Sequence, residues 1–183
     1  EDIQQLSPAW SHLCDAVMKR GDGAYLYDEN DNRYIDFTCG IAVTGTGHCH
    51  RNVVKAIKEQ ADKLIFSQIN CTVSDKAIEL ANTLKPLMPK GIDCFFFSNS
   101  GAEAVEGAVK LAKMATGKSN IIAFQGGFHG RTHLTMALTA SKTIYRGNYQ
   151  PLPSGIFYAP FPNAYYYGWD EDTAVDFCIR ELK

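Results

Sequence analysis

The chain has 183 residues, 45% of them apolar, and a formal charge of −2. That apolar share can bury one substantial core, and without a basic excess neither nucleic acid nor an anionic membrane surface is an expected partner. No stretch approaches the ~20 apolar residues of a membrane span, and Glu1 to Gln5 lack the basic start and apolar core of a signal peptide. A soluble intracellular protein is expected, cytoplasmic or, in a eukaryote, in the mitochondrial matrix.

Near the start, Tyr25-Leu26-Tyr27 and Arg33-Tyr34-Ile35-Asp36-Phe37 flank the polar stretch Asp28 to Asn32, which predicts a β-hairpin. The glycines at 40, 45 and 47 then mark an irregular loop. Helical spacing returns twice, in Val53, Val54, Ile57, Ala61, Leu64 and Ile65, and in Ala77, Ile78, Leu80, Ala81 and Leu84, with Pro86 and Pro89 ending the second helix. From Asp93 the pattern reads strand (Cys94 to Phe97), helix (Ala102 to Thr116), strand (Ile121 to Phe124). A β-α-β unit with short loops predicts an α/β fold with a mostly parallel sheet and covering helices. The segment Tyr145 to Trp169, with prolines at 151, 153, 160 and 162, reads as a long ordered loop with a strand near Gly155 to Ala159. Scattered cysteines at 14, 39, 49, 71, 94 and 178, with no C-x-x-C, point to reduced thiols, a disulfide framework being the alternative. The chain opens on Glu1 rather than Met and closes on an amphipathic helical pattern, Asp172 to Lys183, with no Gly, Asn or Pro to stop it. Part of a larger protein is therefore expected.

Ser98 to Lys110 read S-N-S-G-A-E-A-V-E-G-A-V-K directly after the apolar run. The first amides of a helix lack internal partners and sit at the positive end of its dipole, so the junction reads as either an anion site or an ordinary capped helix, the second loop favouring the anion site. Ser100 is an N-cap, Glu103 completes a capping box, and Gly101 lets a ligand approach the backbone. The second unusual loop, Gln125 to Arg131, falls with it at the carboxyl ends of the strands, where ligands of such sheets bind. There Phe128 is either a core aromatic or a ring that stacks on a planar ligand, and Arg131 either a surface ion pair or a carboxylate clamp. His129 has no spaced Asp or Ser for a triad and reads as a supporting residue. His48-Cys49-His50 lacks the further ligands of a metal site. Neither G-x-x-x-x-G-K-[ST] nor G-x-G-x-x-G occurs, so the phosphate is not obviously a nucleotide's.

N-S-G-A-E-A-V-E at Asn99 to Glu106, together with G-G-F-H-G-R-T at Gly126 to Thr132, resembles the class III aminotransferases that use pyridoxal 5'-phosphate, the 4-aminobutyrate, ornithine and acetylornithine group. G-A-Y-L-Y-D at Gly23, Y-I-D-F at Tyr34, G-I-A-V at Gly40, G-H-x-H at Gly47 and A-P-F-P at Ala159 are similar to that family in order and spacing. The resemblance implies fold-type I, with residues 1–44 in a small domain and 45–183 in part of the large cofactor-binding domain. It implies cofactor contacts from Ser100, Gly101, Ala102, Phe128 and His129, substrate contacts from Ile41 and Arg131, and a homodimer. It implies transfer of an amino group from an ω-amino acid or amine to a 2-oxo acid, most often 2-oxoglutarate.

The family's cofactor-binding lysine and its D-E-x-Q aspartate have no counterpart in these 183 residues, so the chain alone is expected to be inactive, with no catalytic residue of its own. Arg51 stands where the family usually has proline. The alternatives are a truncated non-catalytic homologue, or another fold-type I enzyme such as an aminomutase or racemase.

Overall fold

Residues 5–9 and 12–183 are described by a computed structural model, and their contacts fall into two units, Glu1–Asn82 and Thr83–Lys183. In the first unit, Met18–Asp22 (β1), Tyr25–Asp28 (β2) and Arg33–Ile35 (β3) form an antiparallel sheet in chain order. The expected hairpin is β2 with β3, in the register Tyr25 to Ile35, Leu26 to Tyr34 and Tyr27 to Arg33. Its polar turn is organised by Asp28, 5% exposed, whose carboxylate accepts the amides of Asn30 and Asn32 (both 2.9 Å), the Asn32 side-chain amide (2.9 Å) and the Tyr34 hydroxyl (3.0 Å). These donors, the Asn32 side chain foremost, hold the Asp28 carboxyl below the usual aspartate range.

Strand β1 has no apolar alternation to announce it. Its pairing with β2 is reinforced instead by Arg20, whose guanidinium carbon lies 3.4 Å from the centroid of the Tyr27 ring. The glycine-rich stretch after β3 opens with one tight turn, Cys39–Ala42, and contains no strand or longer helix.

Arg51–Ala61 (α1) and Asp75–Leu84 (α2) are the two expected amphipathic helices. Helix α1 stops short of Ile65; past its end the Leu64 amide still donates to the Gln60 carbonyl (2.9 Å), and the Gln60 side chain donates to the Leu64 carbonyl (2.9 Å). Pro86 follows α2 within a single 3₁₀ turn, Lys85–Leu87.

The second unit runs Gly101–Thr116 (α3), Ile121–Phe124 (β4), His133–Leu138 (α4), Ile156–Ala159 (β5), Ala164–Tyr167 (α5) and Glu171–Leu182 (α6). Strands β4 and β5 are parallel, paired from Ile121 with Ile156 to Phe124 with Ala159. The core lies where α3 and α4 meet the sheet: Val109, Ala123 and Leu138 are buried, with Val105, Ile121, Leu134 and Ile156 packed around them. Helix α6 is capped by Asp170, which accepts the amide (2.9 Å) and hydroxyl (2.7 Å) of Thr173.

One expected strand is corrected. Cys94 to Phe97 joins no ladder among the described residues. The Phe95 and Phe97 rings stack at 6.3 Å with 8° between planes, as residues two apart on one face of extended chain do. Phe96 points the other way, against Gly107 of α3. The chain is strand-like in shape, but no neighbouring strand offers it hydrogen bonds. The parallel β-α-β unit is formed by β4, α4 and β5 instead, one helix later than the sequence pattern suggests.

Candidate functional site

Helix α3 is the longest among the described residues, and its start is built by side chains. Ser100 is extended (φ −154, ψ 161), and its hydroxyl oxygen accepts the Glu103 amide at 3.2 Å. The second half of the expected capping box is displaced by one residue. Glu103 turns its carboxylate to Asn99, accepting the backbone amide at 2.8 Å and the side-chain amide at 2.9 Å. Both motifs neutralise donors at the head of the helix, yet the amides of Gly101 and Ala102 donate to no described group. A Cβ added at Gly101 would meet nothing within 4 Å, so that side of the turn is open to a ligand. Ser100 spends its hydroxyl oxygen on Glu103 and keeps its hydrogen for an acceptor.

The Gln125 to Arg131 loop comes up against this turn. At Gly130 (φ +128), an added Cβ would lie 2.8 Å from the Ala102 Cβ and 2.7 Å from the Thr135 hydroxyl, so only glycine allows the approach. Two fully buried threonines hold the loop there. Thr139 accepts the His129 amide at 3.0 Å and donates to the Thr135 carbonyl at 2.9 Å, with the Gly130 carbonyl 3.1 Å away. Thr135 accepts the Thr132 amide at 3.0 Å, and the Thr132 hydroxyl reaches Glu106 of α3 at 2.7 Å. Loop and helix are thereby fastened through α4. Sequence reasoning passes over these threonines; the available signal is the spacing Thr132, Thr135, Thr139, which puts three hydroxyls on one helical face.

Among the expected site residues, Ala102 and the His129–Arg131 stretch are brought together. Phe128 is 53% exposed and outside the core, its ring held edge-on by Tyr145 at 5.2 Å and 70°. Arg131 is exposed and forms no ion pair among the described residues. The His129 ring packs over Gly127, where a Cβ would meet its Nε2 at 2.9 Å. A cavity of about 770 Å³ opens at the carboxyl ends of β4 and β5, lined by Gln125, Gly126, Gly127 and His129 on one side and by Phe161, Asn163 and Tyr166 on the other. The two loops therefore touch, but the Ser100 turn does not line that cavity.

Ile41 lies in the first unit, in the left-handed turn. Cys39, Gly40, Ile41 and Ala42 have φ of 47, 61, 61 and 62, a run that costs about 1–2 kcal/mol at each non-glycine residue. Asp36 holds the turn: its Oδ1 accepts the Thr38 amide (3.0 Å), the Thr38 hydroxyl (2.7 Å) and the Cys39 amide (2.9 Å), and its Oδ2 lies 2.7 Å from His48 Nε2. The Thr38 hydroxyl first, then His48 and the Cys39 amide, lower the Asp36 carboxyl to about 2. An ionised carboxylate cannot donate, so the imidazole N–H does. His48 therefore bonds Asp36 through its Nε2.

A capped helix N-terminus beside a glycine loop, on an α/β unit, is also found in solved transaminases, which superpose on this chain. An (S)-enantioselective ω-transaminase from Thermomicrobium roseum matches with a TM-score of 0.88 at 26% identity, covering 97% of this chain and 43% of that one. The Pseudomonas jessenii ω-transaminase in complex with PMP matches at 0.87 and 27%, covering 97% and 42%. The chain belongs to the class-III aminotransferases, whose family profile matches residues 6–183. Its relatives include the acetylornithine aminotransferase of Archaeoglobus fulgidus, 44% identical over 147 residues (80% of this chain), and a probable 4-aminobutyrate aminotransferase of Bacillus subtilis strain 168, 42% identical over 166 residues (88%). The chain spans 38% of the length of each.

Proposed function

We propose that the protein carrying this chain moves an amino group from an ω-amino acid or amine, 4-aminobutyrate-like, to a 2-oxo acid such as 2-oxoglutarate, using pyridoxal 5'-phosphate. The carrying observation is the pair of unengaged amides at Gly101 and Ala102, open to a ligand and pressed against the Gly130 loop. Phosphate binding is supported by two unengaged backbone N–H groups, the Ser100 hydroxyl hydrogen and the positive end of a 16-residue helix, all within the same turn. Pyridoxal phosphate, when bound, supplies the electron sink for the bond to be broken. Phe128, exposed but pinned by Tyr145, offers a flat apolar surface for the ring. His129, whose amide is taken by Thr139 and whose ring covers Gly127, sets the loop that aims Phe128 and Arg131 in their directions. Arg131, with no carboxylate partner among the described residues, is free to take a substrate carboxylate through two parallel N–H donors.

No lysine here matches the one that binds the cofactor in the family, so we infer that these 183 residues alone bind the phosphate without completing transfer. The two-subunit assembly of the native-length protein belongs to the same proposal. The test is calorimetric titration with pyridoxal 5'-phosphate and with pyridoxal. Affinity should depend on the phosphate by tenfold or more, and Gly101→Pro, which adds bulk beside the amides and removes one of them, should abolish the difference. Equal binding of the two ligands by the unmodified chain would refute the assignment.

A further inference from the structure

The left-handed turn at Cys39–Ala42 is an expensive conformation held by a defined chain of contacts. On the sheet side, the His48 backbone exchanges two hydrogen bonds with Gly23 (2.8 and 3.0 Å), so His48 is fastened to the β1–β2 connection. Its side chain lies directly over Gly21, where a Cβ would be 2.7 Å from the His48 Cβ and 2.8 Å from its Cγ. The imidazole then reaches Asp36 at 2.7 Å, and the Asp36 side chain is only 4% exposed. Asp36 is itself anchored, its amide donating to the Ala24 carbonyl at 2.9 Å. Its other carboxylate oxygen takes three donors at the head of the turn. Within the turn, Ala42 bonds back to Thr38, and Val43 and Thr44 bond back to Cys39. Ile41 emerges at the apex, 89% exposed. A β-branched residue at φ +61 is a conformational outlier, and such outliers persist where surrounding contacts over-determine them.

We propose that Asp36 and His48 are positioning residues: they form a latch from the sheet to the turn, fix where Ile41 is presented, and so set affinity for the amino donor without touching it. The donor part rests on the proposed function and on the substrate contact that the family resemblance implies for Ile41. The latch part rests on geometry alone. Neither residue needs to reach the cofactor or the reacting atoms.

The two parts are tested separately on the protein at its native length. Amide hydrogen exchange across residues 38–44 reads the latch. Asp36→Ala, and Gly21→Ala, which displaces the His48 ring without deleting any bonding group, should each speed exchange there at least tenfold. Asp36→Asn, which keeps an oxygen for the Thr38 and Cys39 amides, should recover to within about threefold of the parent. Unchanged exchange in both Asp36→Ala and Gly21→Ala overturns the latch, whatever the protein's activity. Steady-state kinetics read the donor side. KM for the donor should rise at least fivefold in Gly21→Ala while kcat and pyridoxal phosphate affinity stay within twofold. Faster exchange with an unchanged donor KM overturns the positioning role, whereas a parent protein that transaminates no ω-amino donor refutes the functional reading and leaves the exchange result standing.

Discussion

Gly130→Ala is the sharpest single perturbation of the site, because the structure separates its two costs. The new Cβ would sit 2.8 Å from the Ala102 Cβ. Apolar carbons rest at ~3.5–4.0 Å, so loop and helix must part by about 0.7–1.2 Å. Overpacking of that kind costs ~1–3 kcal/mol. Holding alanine at φ +128 adds a further ~1–3 kcal/mol, for a total of about 2–6 kcal/mol. Gly126 is the internal control. It also has positive φ, +81, but an added Cβ there meets nothing within 4 Å, so Gly126→Ala carries the backbone cost alone, ~1–3 kcal/mol. Urea unfolding of both variants measures the difference. Gly130→Ala should be the less stable by at least ~1 kcal/mol, and it alone should weaken pyridoxal phosphate binding, since it displaces the Ala102 turn. Equal destabilisation of the two variants, with equal cofactor affinity, would show that loop and helix are not in the contact described.

Phe128→Ala should weaken pyridoxal phosphate binding by ~1–3 kcal/mol through lost ring stacking; unchanged affinity in a calorimetric titration removes Phe128 from the site. Thr139→Val, nearly isosteric, strips the acceptor from the His129 amide and should destabilise by ~1–3 kcal/mol with faster exchange at that amide, while Thr139→Ser preserves its protection. A protected His129 amide in the valine variant would contradict the network. The lowered Asp36 carboxyl predicts a stability term linked to pH. Its folded value, about 2, lies below the ordinary 3.8, so between these values the unfolded chain binds more protons. Asp36 therefore stabilises fully above roughly pH 4, and the contribution is lost as pH falls toward 2. Acid unfolding of Asp36→Asn should show a shallower dependence across that window than the parent, and parallel curves would argue against the pair.

Much of the local architecture is legible in the chain because it is written in short-range chemistry. The Asp28 to Asn32 turn, the helix from Gly101 and the strands near Ile121 and Ile156 all follow from spacing, turn residues and caps that act over a few positions. What escapes is non-local. Met18 to Asp22 becomes a strand through pairing with Tyr25 to Asp28 and the Arg20–Tyr27 contact, neither of which its own sequence reveals. Cys94 to Phe97 has every local mark of a strand and lacks only neighbours. At the site, the helix head and the exposed Phe128 are visible as residue types. The approach of Gly130 to Ala102, and the buried hydroxyls of Thr135 and Thr139 that enforce it, depend on α4, a six-residue helix with no long apolar period to announce it.

The parallel register of β4 with β5 bears on the order in which the chain folds. Tyr25 and Ile35 meet across 35 − 25 = 10 positions, whereas Ile121 and Ile156 meet across 156 − 121 = 35. Closing the longer span costs only about 1 kcal/mol more in chain entropy, from (3/2)RT ln(35/10). That cost, however, must be met before any rung of the ladder rewards it, and α4 lies inside the closing loop. The meander, whose turns form on the order of microseconds, should therefore acquire protected amides first. Pulsed hydrogen exchange during refolding should find Leu26 protected before Ile122, and simultaneous protection would mean that the two units fold as one. The contact of the Gly130 loop with Ala102, where we propose the phosphate binds, lies within that same crossover and would then be among the last parts of the chain to form.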